Sequence, residues 1–188
     1  TILALRGDPP RNETNYDRCK DDFKFAADLV KFIKNHQHPI EIGVAGFPEG
    51  HPATQNRLKE MEYFKAKVDE GADYICTQLF FDNHDFLDYR DRCGLEGIDL
   101  PIVAGIMPIT TISGMKRMAE LAEGSRFPAT LLKILNTAGS DAKAIRQAGI
   151  QYAIHQCQEL IEEGVSGLHL YTLNKSNATL TIANSLDF

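Results

Sequence analysis

Five short runs of aliphatic and β-branched residues, each separated from the next by a segment with helical spacing, constrain this chain more than any other feature. The runs are Ile2–Leu5, Ile40–Ala45, Tyr74–Phe81, Ile102–Ile106 and Leu168–Leu173. They are too short for core helices and read as buried strands. Between them, 20–35 places Ala26, Leu29, Val30 and Ile33 on one helical face, with Lys24, Lys31 and Lys34 outside it. The segment 56–71 repeats the pattern with Leu58, Met61, Phe64 and Val68, and Gly71 stands where a helix stop is expected. Helical segments at 84–93, 112–122 and 141–163 follow, the last between an Asp141 cap and a Gly164 stop.

Strands that alternate with helices build a parallel sheet, either open and doubly wound or closed as a barrel. The first strand runs into Leu5-Arg6-Gly7-Asp8-Pro9-Pro10, which lacks the glycine fingerprint of a dinucleotide-binding sheet. A barrel instead gathers its chemistry at the carboxyl ends of many strands, and it takes about 250 residues and eight βα units. This chain has 188 residues and supplies five such units. The expected fold is therefore a (β/α)8 TIM barrel present as an incomplete fragment, strands four to eight, forming a single domain over 1–188. The opening directly on a strand without an initiator Met fits the same expectation.

Charge and composition narrow the function classes. Twenty Lys and Arg face 26 Asp and Glu, a formal net charge of −6, against the basic surplus of a nucleic-acid binder. No apolar run approaches the roughly 18–20 residues of a membrane span. Cys19, Cys76, Cys93 and Cys157 are scattered, with no metal-ligand spacing, and read as reduced thiols of a cytoplasmic protein.

The strand ends hold the candidate chemistry. Arg6 carries several donors for phosphate or ribityl oxygens, Gly7 permits close approach, and Asp8 can accept from a polar heterocycle. The bland alternative is a surface Arg and a turn Asp before two prolines. After the second strand, Gly43 to Pro52 packs two prolines, three glycines, Phe47, Glu49 and His51 into ten residues. Such a stretch cannot be helical and builds a rigid βα loop, suited to a flat cofactor through Phe47 stacking and a His51 contact. Glu60 and Lys67 share a face of the next helix and could equally be a solvated pair. Gln78 is an amide on a buried strand and needs partners, either a heterocycle or backbone. On a period of two, His169, Tyr171 and Leu173 share a face, and such a His reads first as a hydrogen-bonded core residue. Tyr171 and Lys175 stand at the carboxyl end of that run. No nucleophile–base pair, metal cage or phosphate loop appears, leaving cofactor chemistry that the protein orients.

Six motifs, in order and over nearly the whole chain, closely resemble the catalytic domain of the methylenetetrahydrofolate reductase family. They are Leu3–Asp8, Val44–Pro52, Lys67–Asp73, Thr77–Asp82, Pro101–Ile109 and His169–Asn174. The resemblance implies a barrel carrying FAD, reduced by NADH or NADPH, that passes a hydride to 5,10-methylenetetrahydrofolate and so feeds one-carbon metabolism and methionine synthesis. It implies flavin contacts from Arg6, Gly7, Asp8, Phe25, Ala26, Phe47, His51, Pro52, Ala53, Thr54, Glu60 and Lys67. It assigns folate contacts to Asp8, Gln78, Tyr171 and Lys175, with Asp8 and Gln78 in catalytic positions. It further implies a cytoplasmic homo-oligomer with a small-molecule folate substrate, no metal, and neither nucleic acid nor membrane as partner.

The chain departs from the family pattern at several places. Phe25 and Phe47 stand where tyrosine is usual, Glu60 for Asp, Thr54 for Ala and Lys175 for Arg, and a lysine cannot offer a carboxylate the bidentate fork. The family's general acid, a glutamate on the first barrel strand, has no counterpart, so the segment alone is expected to be inactive. The competing expectation is a non-catalytic half-barrel remnant acting as a binding or assembly module. A flavin-linked proline dehydrogenase barrel is a third, which the Thr77–Asp82 and Tyr171–Asn174 stretches oppose.

Overall fold

The computed structural model describes residues 1–7, 23–36, 39–122 and 124–186. Among them run five strands and seven helices: β1 (Ile2–Ala4), α1 (Ala26–Asn35), β2 (Ile42–Gly46), α2 (Arg57–Asp69), β3 (Tyr74–Thr77), α3 (Asn83–Leu95), β4 (Ile102–Ile106), α4 (Ile112–Leu121), α5 (Ala129–Thr137), α6 (Ala142–Glu162), β5 (Gly167–Leu170) and α7 (Ser176–Ala183). All five strands pair in parallel in the order β1-β2-β3-β4-β5. Sequence neighbours thus become sheet neighbours, as repeated βα crossovers of one hand produce. Ala4 lies opposite Val44, Gly46 opposite Thr77, and Ile106 opposite Leu170. With one strand direction throughout, the five carboxyl ends form a single rim.

Two apolar clusters hold the layers together. The larger joins Val30, Ile42, Val44, Phe64, Ile75, Phe86, Ile106, Leu160 and Ile182, from sheet and surrounding helices. The smaller gathers Leu79, Phe81, Met107, Ile109, Met118, Leu131 and Ile145 where α4, α5 and α6 meet the ends of β3 and β4. Asn56 caps α2 through its side-chain oxygen, Asp82 caps α3 and Asp141 caps α6, each accepting from backbone N–H groups that the first turn leaves unpaired.

Asp73 ties α1 to the sheet. Its carboxylate accepts from Lys34 Nζ at 3.0 and 2.9 Å and from the Ile42 N–H at 2.8 Å. Burial pushes its pKa up, but the Ile42 hydrogen bond and the Lys34 ammonium outweigh that and leave it below the ordinary value. A carboxyl held low in the folded state adds stability above its unfolded pKa, and loses it as pH falls through the folded one. Asp73→Asn is therefore expected to lower the melting temperature at pH 7. The gap to the parent protein should narrow as pH falls below about 4 and close once pH has passed the lowered folded value, where both side chains are neutral; parallel thermal melts across that range test this.

Two of the expected strands end early in the structure. The run Tyr74–Phe81 is strand only to Thr77. Leu79, Phe80 and Phe81 are apolar because they leave the sheet and enter the two cores. The fifth run ends at Leu170, and Leu173 and Asn174 adopt left-handed φ values of 46° and 59°. The alternation expected of His169, Tyr171 and Leu173 therefore fails: His169 and Leu173 are exposed and Tyr171 is half-buried. His169 is no core residue; its ring stands edge-on to Tyr171 at 4.6 Å. Two helices were not expected. The α5 segment starts after Pro128 and buries Leu131 and Leu135, whereas α7 is rich in Thr, Ser and Asn and is helical because Ala178 and Ile182 dock into the core. Of the expected helix at 20–35, residues 20–22 lie outside the described residues, and the described part begins at Ala26.

Candidate functional site

At β3 and β5 the rim is built by the first residue beyond the strand. Gln78 N–H donates to Gly46 O at 2.8 Å, and Tyr171 N–H donates to Ile106 O at 2.9 Å. These bonds continue the ladder one step past the strands and hold both residues at the rim. The loop after β2 leaves the same edge as Phe47-Pro48-Glu49-Gly50-His51 and turns back on itself through Gly50 N–H to Phe47 O.

A cationic cluster forms beside β1 and β2. His51 N–H donates to Glu60 Oε1 at 2.9 Å, and the Ala53 N–H donates to His51 Nδ1 at 3.1 Å. An accepting Nδ1 puts the imidazole hydrogen on Nε2. Burial lowers the His51 pKa, and the Arg6 charge lowers it further; Glu60 acts the other way. His51 is thus a neutral ring whose hydrogen is on Nε2. The same ring meets Phe47 edge-on at 4.7 Å. From α2, Lys67 Nζ donates to Ala45 O and lies 4.9 Å from the Phe64 ring centre. Burial drives its pKa down to about 8, with Glu60 opposing. Glu60 itself is taken up by His51 N–H and by Arg57 at 3.1 Å. Arg6 and Lys67 both lower the His51 pKa through their charges, and Lys67 is tied to Ala45 O at the end of β2, which leads into the His51 loop. A side chain at Gly7 would meet open space.

The other residues expected to contact a cofactor sit as follows. Thr54 N–H donates to His51 O at 2.9 Å and its side chain is half-buried, while Pro52 and Ala53 are exposed. Ala26 opens α1 and is half-buried, and Phe25 is exposed at its N-cap, where its N–H donates to Asp28. Asp8 lies outside the described residues.

A second group forms across β3 and β5. Gln78 is half-buried, and its Oε1 accepts from Leu79 N–H at 3.0 Å, leaving the amide NH2 available. Tyr171 OH donates to Thr77 O at 3.0 Å, the carbonyl directly before Gln78. Burial pushes the Tyr171 phenol up to about 12, so it remains a neutral donor. The structure thus brings Gln78 and Tyr171 together. Lys175 stands apart as the exposed N-cap residue of α7.

Several residues that shape the rim carried no signal in the sequence. The fully buried Thr77 accepts from Gly105 N–H at 2.8 Å. From α6, Tyr152 OH donates to Phe81 O at 2.6 Å and the buried Gln156 amide donates to Phe80 O at 3.1 Å. Two successive carbonyls of the Gln78 loop are thereby held by one helix. Gln156→Leu leaves Phe80 O unpaired and is expected to cost about 1–3 kcal/mol, read from urea unfolding; Tyr152→Phe should cost less, because the bond it removes is only partly buried. Cys76, Cys93 and Cys157 are buried free thiols, as their spacing implied, and Cys19 lies outside the described residues. Among the described residues, no helix is long and apolar enough to cross a membrane.

The family model for methylenetetrahydrofolate reductase matches residues 1–187. The chain is 40% identical over 190 residues to methylenetetrahydrofolate reductase 2 of Saccharomyces cerevisiae, covering 99% of this chain and 32% of that protein. It is 37% identical to methylenetetrahydrofolate reductase (NADH) 1 of Arabidopsis thaliana, covering 98% of this chain and 33% of the relative. With the probable methylenetetrahydrofolate reductase (NADPH) of Caenorhabditis elegans it shares 36% identity, over 99% and 28% of the two chains. The chain therefore spans about a third of the length of these curated relatives. A solved structure from Clostridium thermocellum, described as an uncharacterized protein that binds two copies of 5-methyl-5,6,7,8-tetrahydrofolic acid, superposes with a TM-score of 0.57 at 19% identity. That match covers 85% of this chain and 57% of the other, and it shows a shared fold. With the family model spanning residues 1–187 of its 188, the chain belongs to the methylenetetrahydrofolate reductase family.

Proposed function

We propose that this chain forms the flavin- and folate-facing part of a (β/α)8 barrel that reduces 5,10-methylenetetrahydrofolate to 5-methyltetrahydrofolate with NADH or NADPH as donor. The observation that carries the reading is His51, held by Glu60 and edge-on to the Phe47 ring, with the charges of Arg6 and Lys67 acting on it. Its donor set fits FAD. Two cations and an N–H suit a diphosphate, the nearest carboxylate is already occupied by His51 N–H and Arg57, and an aromatic face adjoins them. The chemistry supplied by bound FAD is hydride relay from the nicotinamide to the folate.

The protein's own groups then have distinct tasks. Arg6, His51 Nε2–H and Lys67 hold the anionic portion, while Phe47, Phe25, Gly7 and the exposed Pro52–Ala53 edge offer surface to the flat portions. Gln78, with its NH2 free, orients the amide-rich ring of the folate and, in its turn, the nicotinamide. Tyr171 and Lys175 hold the remainder of the folate, and Asp8 fills the catalytic carboxylate position that the family resemblance gives it. The remaining barrel strands complete the sheet beyond β1 and β5, each of which pairs with a single neighbour among the described residues. The assembled protein works in the cytoplasm as a homo-oligomer.

The test is made on the full-length protein. Its visible spectrum should show bound flavin, bleached anaerobically by NADH or NADPH and restored by 5,10-methylenetetrahydrofolate. Bleaching that only proline can produce would move the assignment to a proline-oxidising barrel. A full-length protein without flavin would make the chain a binding module.

A further inference from the structure

The loop that carries Phe47 and His51 is held from outside by three arginines of three different elements. Arg92 of α3 donates to Pro48 O at 3.3 Å, and Arg57 of α2 donates to Glu49 O. Arg126, in the segment joining α4 to α5, donates to Glu49 Oε1 from its backbone N–H at 2.6 Å and from Nε at 3.2 Å. The Arg126 guanidinium also reaches Asp85 in the first turn of α3. Gly50 allows the tight turn with a φ of +96°, and a Cβ there would run into the Arg57 guanidinium.

This arrangement is unlike an ordinary surface ion pair. The Glu49 side chain is only 7% exposed and that of Asp85 19%, whereas Arg126 is 65% exposed. Two largely buried carboxylates thus converge on one guanidinium that closes over them. Burial pushes the pKa of both carboxyls up, and Arg126 pulls each back down. An exposed pair contributes little, but a buried carboxylate whose partner is removed must either take up a proton or move out into water. Glu49 is two residues from Phe47 and two from His51, so its movement displaces both.

We propose that Arg126 is a positioning residue for cofactor binding: by pairing with Glu49 it locks the Phe47–His51 loop in its flavin-facing shape. The proposal rests on the flavin reading above. It adds a residue 77 positions from its partner, on an element that contributes no cofactor contact.

The experiment titrates FAD into the full-length apoprotein and records the dissociation constant and the apoprotein melting temperature side by side. Arg126→Ala is expected to weaken FAD binding by roughly tenfold, because a largely buried carboxylate is left without its partner. Glu49→Gln should do about the same. The double variant should be no weaker than the poorer single one, because each acts through the other. Arg126→Lys should recover part of the loss. Lys67→Met, which removes a direct cofactor contact, is the reference. If Lys67→Met loses flavin while Arg126→Ala binds it like the parent protein, the latch is wrong and the flavin site stands. Multiplying losses in the double variant overturn the latch as well. A parent protein that binds no FAD refutes the flavin reading, and the latch with it.

Discussion

Lys67→Met is expected to stabilise the apoprotein and, at once, to weaken its flavin binding about a hundredfold. Burial holds the Lys67 ammonium at a pKa of about 8, against an ordinary value of 10.5. That difference corresponds to about 3 kcal/mol of disfavoured charging at neutral pH. Methionine fills the same stem volume without the charge but leaves Ala45 O without its donor. A net gain of about 1–2 kcal/mol remains after that lost hydrogen bond. The flavin diphosphate meanwhile loses a charge-assisted donor worth about 2–3 kcal/mol, so FAD should bind about a hundredfold more weakly. Thermal melts and FAD titration of the same sample read the two effects.

The pH dependence has a definite sign. A lysine whose folded pKa lies below its unfolded one costs stability below the folded pKa. The cost fades as pH rises from about 8 towards 10.5, because only the unfolded chain then holds the proton. Apoprotein stability should gain a contribution over that window, one that Lys67→Met lacks. FAD affinity should fall over the same window, since deprotonated Lys67 no longer attracts a phosphate. Flavin affinity that stays flat to pH 10 would remove Lys67 from the anion site.

Gly149→Ala should cost about 3 kcal/mol, towards the upper range for forcing atoms into a packed interface. Gly149 lies in the middle of α6, and a Cβ there would sit 1.7 Å from the backbone oxygen of Ile109. The clash is with main chain just after β4, which no rotamer change relieves. The helix must lift, and α6 also carries Tyr152 and Gln156, the donors that hold Phe81 O and Phe80 O. The damage therefore reaches the Gln78 loop. At 2–4 °C per kcal/mol for a chain of this size, the melting temperature should drop by roughly 10 °C. A drop of a degree or two would mean that α6 shifts without strain and that the close approach matters little.

The legible part of this protein was what local chemistry dictates. Three of the strands run within two residues of their apolar runs, because a β-branched stretch bounded by turn residues has few other choices. The helices α2, α3, α4 and α6 fall within one or two residues of the segments expected at 56–71, 84–93, 112–122 and 141–163, and α6 starts at its expected Asp141 cap. His51 and Glu60 meet because the loop and α2 that carry them are adjacent in the chain. Contacts made across the fold were not legible. Nothing in the residues around Arg126 points to Glu49, nor do those around Gln156 point to Phe80. Each pair exists only because crossover helices return distant segments to the same rim. Burial likewise decided what composition left open: Leu79, Phe80 and Phe81 read as strand but fill two cores, and α7 is helical by docking against its own propensity. Local sequence set the alternation of elements and the identity of the rim residues. The tertiary structure set the protonation of His51 and Lys67 and the bracing of the loops that carry the site, because desolvation and long-range pairing exist only once the sheet has formed.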